Sequence, residues 1–96
     1  MWPFEKSQHN AHNARDLVAN GAALLDVRSP EEFNERHLAG AVNIPVQELA
    51  GRVEELEPKT RPIVIYCRSG ARSAAAAQVL KRAGYVVHDI GGMGNW

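Results

Sequence analysis

One short segment of the 96-residue chain carries residues whose types and spacing suit nucleophilic chemistry. The segment consists of Cys67, Arg68, Ser69, Gly70, Ala71, Arg72 and Ser73. A continuous β-branched and aromatic run, residues 63–66, precedes it and is typical of a buried strand. A helix-favouring run, residues 71–83, follows it. The pattern therefore predicts that Cys67 lies at the carboxyl end of a strand, just before a helix begins.

Three physical effects at that position favour a reactive thiolate. Free N–H groups at the start of a helix bind anions. The helix dipole and the two arginines, Arg68 and Arg72, favour thiolate over thiol, and such settings lower a cysteine pKa from about 8.5 to roughly 3.5–7.5. Gly70 permits a turn that points several N–H groups inward. We therefore predict that Cys67 is a nucleophile; the alternative is a buried strand cysteine followed by an ordinary turn.

Alternating strand and helix patterns surround this segment along the whole chain. The predicted order is helix 13–20, strand 22–27, helix 30–36, strand 41–44, helix 46–56, strand 62–66, helix 71–83 and strand 85–90. The helix at residue 30 has the clearest start, because Ser29, Pro30 and Glu32 form a capping-box pattern. Such alternation predicts a small α/β domain with a mainly parallel sheet flanked by helices. Ligands of such sheets bind beyond the carboxyl ends of the strands.

Composition and charge exclude several classes of protein. The chain is 45% hydrophobic and 23% charged with a net charge of +0, which indicates one globular domain over residues 1–96 and argues against binding to nucleic acid. No apolar run approaches the roughly 20 residues that span a membrane, and no signal-peptide pattern opens the chain, so we expect a cytoplasmic location. The single cysteine excludes an internal disulfide and a multi-cysteine zinc site, and we expect neither metal nor cofactor.

The neutral total hides two stretches of opposite charge. Residues 30–57 hold seven acidic and two basic residues, whereas residues 58–88 hold six basic residues and no acidic one. Cys67 lies in the basic stretch, which suits a small anionic substrate.

Three stretches resemble the signatures of the rhodanese homology domain, a sulfurtransferase family, in its single-domain form. Residues 24–33 with 37–45 (LLDVRSPEEF and HLAGAVNIP) resemble the first signature. Residues 67–73 resemble the active-site loop, and residues 91–96 (GGMGNW) resemble the C-terminal signature. The resemblance covers about residues 13–96 and implies a rhodanese-like sheet of four to five strands. Because the family's first strand would fall on a poor strand sequence, we expect residues 1–12 to be poorly structured or an edge segment.

The resemblance implies that Cys67 takes a sulfane sulfur from a small anionic donor such as thiosulfate. Cys67 would hold it as a persulfide and pass it to a thiophilic acceptor such as cyanide or a thiol, while residues 68–73 bind substrate and persulfide. A second hypothesis is a sulfur carrier that a sulfur-relay protein loads through the acidic or the basic stretch. A phosphatase is disfavoured, because its loop needs five residues between cysteine and arginine and only four separate Cys67 from Arg72.

The resemblance also implies supporting roles for residues within and around the loop. Arg72 would pair with Asp26, which makes Asp26 a scaffold residue, and Arg28 would pair with a nearby acid. Ser69 and Ser73 would donate hydroxyl hydrogen bonds to the persulfide, and capping of the helix is an equal or better role for Ser73. His37 is expected to be structural.

Overall fold

The computed structural model describes residues 11–96, with side chains from residue 13 onward. Its elements alternate as the sequence predicts. They are α1 (Ala11–Ala19), β1 (Ala23–Asp26), α2 (Pro30–Glu35), β2 (Val42–Asn43), α3 (Val46–Leu49), a 3-10 turn (Val53–Leu56), β3 (Ile63–Cys67), α4 (Ala71–Arg82), β4 (Val87–Gly92) and a second 3-10 turn (Met93–Asn95). Except for its last two residues, which open α1, the segment expected to be poorly structured or at an edge (1–12) lies outside the described residues.

A parallel sheet in the order β2-β1-β3-β4 forms the centre of the described residues. Every side chain of β3 is buried, as the apolar run 63–66 predicts. Asp26 pairs with Tyr66 in register, so β1 and β3 end at the same edge of the sheet. The predicted α/β class with a parallel sheet is confirmed, and four strands are present in residues 11–96.

Helices cover both faces of this sheet. On one face, α3 and α4 pack against a core that includes Leu25, Leu49, Ile65 and Leu80. On the other face, α1 packs against β3 and β4, and Trp96 contacts the same cluster as Tyr66. None of the helices in the described range is long and apolar enough to cross a membrane.

The helix predicted over residues 46–56 is wrong as one continuous element. It divides into α3 and the 3-10 turn, and residues 50–52 lie between them. Glycine inside a helix costs about 1 kcal/mol relative to alanine, and here the N–H of Gly51 donates to the carbonyl of Glu48 in a tighter turn. Leu49 and Leu56 stay buried, because the two shorter segments still direct them to the core.

The last strand begins at Val87, two residues later than predicted. Tyr85 forms the link from α4 instead, since its N–H donates to the carbonyl of Leu80 and its hydroxyl donates to the carbonyl of Val53. The capping box at the start of α2 is present as predicted, with Ser29 and Glu32 bonding each other's backbone N–H groups.

Candidate active site

The structure places Cys67 at the carboxyl end of β3, with α4 beginning four residues later at Ala71. Gly70 precedes the helix with a φ of 113°, a backbone conformation that residues other than glycine rarely adopt. This turn points the N–H of Gly70 at the sulfur of Cys67, at an N–Sγ distance of 2.9 Å. The loop therefore folds around the sulfur as the sequence predicts.

Ser73 lies inside the loop and does not cap the helix. Gly70 occupies the capping position without any side-chain hydrogen bond, and Ser73 is the third residue of α4. Its hydroxyl is 3.5 Å from the sulfur of Cys67 and donates to the carbonyl of Gly70 at 3.1 Å. The proposed capping role is therefore wrong. Ser73 and Cys67 are both almost fully buried, so this hydroxyl is held against the sulfur.

The surroundings of Cys67 lower its pKa from the ordinary value. Burial of the thiol raises the pKa, but hydrogen bonds from the Ser73 hydroxyl and from the N–H groups of Ser73, Gly70 and Ser69 outweigh burial. The direction agrees with the sequence prediction, although its main cause differs. The largest stabilising contributions come from four donors of the loop, and the charge of Arg72 interacts with that of Cys67 to a smaller extent.

The two arginines take different positions. Arg68 is exposed and makes no ion pair within residues 11–96. Arg72 binds Glu32 through two parallel contacts, from Nη1 to Oε1 at 2.6 Å and from Nη2 to Oε2 at 3.0 Å. The pKa of Arg72 is raised, chiefly by this bond and to a smaller extent by the charge of Cys67.

The expected pair between Asp26 and Arg72 does not form. Asp26 is fully buried, and Arg28 binds its carboxylate through the backbone N–H at 2.8 Å and through guanidinium contacts as short as 2.7 Å. Arg72 binds the carboxylate of Glu32 in α2 instead. Arg28 pairs with a nearby acid, as the sequence predicts, and that acid is Asp26.

Glu32 is the residue of the site that the sequence pattern assigns only to the capping box. Its carboxylate accepts from Ser29 and from Arg72 at once. These bonds lower the pKa of Glu32 from 4.5 to about 2, with Arg72 making the largest contribution. The carboxylate therefore ties α2 to the first turn of α4, next to the loop.

The end of β4 closes the loop from the other side. After an irregularity in the ladder, Cys67 pairs with Gly92. A Cβ atom on Gly92 would lie 2.7 Å from the backbone oxygen of Arg68, and one on Gly70 would lie 3.8 Å from Cα of Gly91. This close approach of backbone to backbone explains Gly92, and a φ of 78° explains the glycine at position 91.

A groove of about 420 Å³ runs beside the loop. The residues that line it are Arg28, Glu32, Glu35, Arg36, Arg68, Met93 and Gly94. His37 is not among these residues, and its ring stacks on that of Phe33 at a centroid separation of 3.7 Å. No cluster of histidine, cysteine and acidic residues that is suited to a metal ion occurs among the described residues.

Comparisons with known proteins agree with this geometry. The model of the rhodanese-like domain family matches residues 10–96. The thiosulfate sulfurtransferase PspE of Escherichia coli (strain K12) is 37% identical over 71 residues, which span 72% of this chain and 68% of PspE. The putative sulfur carrier protein YrkF of Bacillus subtilis (strain 168) is 40% identical over 75 residues, but the match spans only 40% of YrkF.

Among solved structures, a rhodanese with anions from E. coli has a TM-score of 0.74 and 32% sequence identity. The superposition covers 79% of this chain and 92% of that one. The match to the family model covers the loop, the sheet and the helices on both faces. The chain belongs to the rhodanese-like domain family.

Proposed function

We propose that the chain is a sulfurtransferase that carries a sulfane sulfur as a persulfide on Cys67. The observation that supports this most directly is the environment of the sulfur. A buried thiol with a lowered pKa ends a strand, and the loop directs backbone and hydroxyl donors at it. A persulfide is also an anion, so the donors that favour the thiolate suit the intermediate as well.

In the first half of the reaction, the thiolate of Cys67 attacks the outer sulfur of thiosulfate. The bond between the two sulfurs of thiosulfate breaks, and its electron pair leaves with sulfite. Cys67 then carries the transferred sulfur as a persulfide anion. Charge is conserved, since a thiolate and a dianion give a persulfide anion and a dianion.

In the second half, cyanide or a thiolate attacks the outer sulfur of the persulfide. The S–S bond to Cys67 breaks, and its electron pair returns the cysteine to the thiolate. The product is thiocyanate or a small-molecule persulfide. Activation by lowered pKa and formation of a covalent intermediate are the features expected of a cysteine nucleophile.

A sulfur carrier is the second candidate, because one of the relatives is named a putative sulfur carrier protein. In that case a sulfur-relay protein, and not thiosulfate, would load Cys67. The two functions share the persulfide and differ in turnover. A carrier would show slow thiosulfate–cyanide kinetics and rapid transfer from the persulfide of a partner protein.

The first test is the intact mass of the protein after incubation with thiosulfate. We expect a gain equal to one sulfur atom, reversed by cyanide, and no gain in the Cys67→Ala variant. Steady-state rates with thiosulfate and with a protein persulfide then distinguish the enzyme from the carrier. If neither donor adds sulfur to Cys67, the proposed function is wrong.

A further inference from the structure

A second cavity, of about 260 Å³, lies at the end of the sheet opposite to Cys67. Among the residues that line it are Ala22, Leu24, Val42, Leu56, Glu55 and Arg61. Ala23, which also lines it, pairs with Ile63 at the first residue of β3, whereas Cys67 is the last residue of that strand. The four steps along the strand between these two positions span roughly 13 Å. The cavity is therefore separate from the loop that holds the sulfur.

The cavity lies where β1 extends past the short edge strand β2. The first residue of β2, Val42, pairs with Leu25, so no strand of the described residues lies beside Ala23 and Leu24 on that side of β1. Val42 is 51% exposed at this place and is one of two large apolar side chains that the described part of the chain leaves exposed. An aliphatic ligand in the cavity would cover it.

Arg61 brings a cation with unused donors to this cavity. A guanidinium has five N–H groups, and the side chain of Arg61 donates only from Nη2, to the carbonyl of Leu56 at 3.3 Å. It makes no ion pair with any described residue, and its Nε is buried without an acceptor among them. A buried donor without an acceptor is unfavourable. A ligand acceptor toward which the side chain turns would therefore be bound favourably.

The acidic residue of the cavity wall does not supply that acceptor. Both carboxylate oxygens of Glu55 accept from Arg52, at 2.8 and 3.0 Å. This pair also reduces the repulsion that Glu55 would exert on an anion in the cavity. Arg61 is therefore the charged residue of the wall that no neighbouring side chain of the described residues neutralises.

We infer that this cavity binds a small aliphatic carboxylate, with the carboxylate on Arg61 and the hydrocarbon chain against Leu24 and Val42. The planar fork of a guanidinium matches the geometry of a carboxylate. The volume lies just below the roughly 300–1,000 Å³ of pockets for drug-sized ligands, so the chain of the ligand is short. The site lies outside the proposed sulfur transfer, which uses the opposite end of the sheet.

The test titrates the whole protein with four probes. Hexanoate has both the carboxylate and the chain, 1-hexanol lacks the charge, acetate lacks most of the chain, and sulfate is an anion without a chain. Saturable shifts of the amide NMR signals of Ala22, Leu24 and Val42 report binding. We expect hexanoate to bind most tightly, with a gain of up to about fourfold for each CH₂ group added between acetate and hexanoate.

Two variants separate the charge from the apolar surface. Arg61→Gln is expected to weaken hexanoate binding about tenfold, as for the loss of a charge-assisted hydrogen bond, and to leave hexanol binding unchanged. Val42→Thr keeps the shape of the side chain but adds a hydroxyl, so it should weaken both ligands by a similar factor. Arg82→Gln and Val86→Thr are the matched controls, because Arg82 and Val86 are exposed and do not line the cavity.

Urea unfolding of each variant checks that it folds. If Arg61→Gln does not fold, the comparison of hexanoate with hexanol in the wild type measures the effect of the charge instead. Equal affinities for these two ligands, sulfate binding as tight as hexanoate binding, or no saturable shift at the three amides would overturn the inference.

A competition experiment checks the place of binding. Thiosulfate should add sulfur to Cys67 equally fast with and without saturating hexanoate, as followed by intact mass. Slower loading in the presence of hexanoate would place the ligand at the loop and would also overturn the inference. The NMR titration needs no sulfur transfer, so its result does not depend on the proposed function.

Discussion

The reactivity of Cys67 depends on hydrogen bonds donated to its sulfur. Ser73 is the only side chain among these donors; the others are backbone N–H groups that no substitution removes directly. Ser73 is buried, and its hydroxyl lies within reach of both the sulfur of Cys67 and the carbonyl of Gly70. The hydroxyl of Ser73 therefore contributes to the lowered pKa of Cys67.

Replacing Ser73 by alanine is expected to raise the pKa of Cys67. The thiolate loses one donor, while the burial that opposes ionisation stays, so the thiolate fraction at neutral pH falls. The ultraviolet absorbance of the thiolate, followed through a pH titration, should show a midpoint at higher pH than in wild type. The rate of the thiosulfate reaction at neutral pH should fall about fivefold.

Ser69→Ala is the comparison for this experiment. Only the backbone N–H of Ser69 acts on the sulfur, and alanine keeps that group. An unchanged titration midpoint in Ser73→Ala, or equal shifts in both variants, would contradict the role given to the hydroxyl.

The sequence locates the nucleophile and its loop correctly but not the partner of Arg72. The strand-to-helix switch at Cys67 and the glycine at position 70 are local signals, readable within a few residues. Whether Arg72 binds Asp26 or Glu32 depends on how α2 packs beside α4. This packing brings together two residues that are 40 positions apart in the sequence. A capping pattern fully explained Glu32 at the local level, and nothing in the spacing indicated a second use.

At the level of elements, Glu32 links the start of α2 to the start of α4. Glu32→Gln is expected to lower the free energy of unfolding at neutral pH by about 1–2 kcal/mol, since it weakens a capping box and a partly exposed ion pair. The folded-state pKa of about 2 lies below the ordinary 4.5. The carboxylate therefore stabilises the fold fully above the ordinary value, and this contribution disappears as the pH falls through 4.5 towards about 2.

Urea unfolding across this pH range measures the effect. The difference between wild type and Glu32→Gln should shrink as the solution becomes acidic, whereas Glu31→Gln should follow wild type at every pH. A difference that stays constant with pH would show that the ion pair is not its source.

The second link between elements is the contact of β4 with the loop. Gly92→Ala places a methyl group 2.7 Å from the backbone oxygen of Arg68, so the loop must move. A displacement of about 1 Å can lower activity about a hundredfold, and we expect a loss of that order in thiosulfate kcat/KM. Gly51→Ala is the control, because its Cβ meets no atom closer than 3.8 Å. Near-normal kinetics in Gly92→Ala would show that the loop does not depend on this contact.

Most elements were predictable because each has its own local pattern. The apolar run of β3 and the capping box of α2 are examples. The break after α3 was not predictable from periodicity, since Val46, Leu49, Val53 and Leu56 keep helical spacing while the chain tightens at Gly51. The sequence places the start of β4 two residues too early, because a tyrosine is common in strands. In the structure Tyr85 is instead a buried residue of the link that follows α4.

For the whole molecule, one core beneath α4 supports the site. Leu80 is fully buried between α4 and the sheet. Leu80→Ala is expected to lower the free energy of unfolding by about 2–5 kcal/mol, a large part of the roughly 5–15 kcal/mol that small proteins possess. Urea denaturation measures this, with Val86→Ala as control because Val86 is 55% exposed. Equal losses in the two variants would contradict the packing described.

The acidic stretch, residues 30–57, and the basic stretch, residues 58–88, are in contact in the folded molecule. Glu32 belongs to the acidic stretch and Arg72 to the basic one, and their ion pair joins the two stretches beside the reactive loop. Arg68, also from the basic stretch, has no such partner in the part of the chain that the structure describes. One arginine thus serves the fold, while the other remains available at the mouth of the site.

The contact between Gly92 and the loop also bears on when the site forms during synthesis of the chain. The chain is synthesised from its N-terminus, so Cys67 leaves the ribosome before residues 87–92. Until β4 pairs with β3, the carbonyl of Arg68 lacks its contact with Gly92, and we expect the loop around the sulfur to be held less firmly. A nascent chain that stops before β4 should therefore contain Cys67 as an ordinary thiol, and reactivity should appear only when the last strand of the sheet has docked.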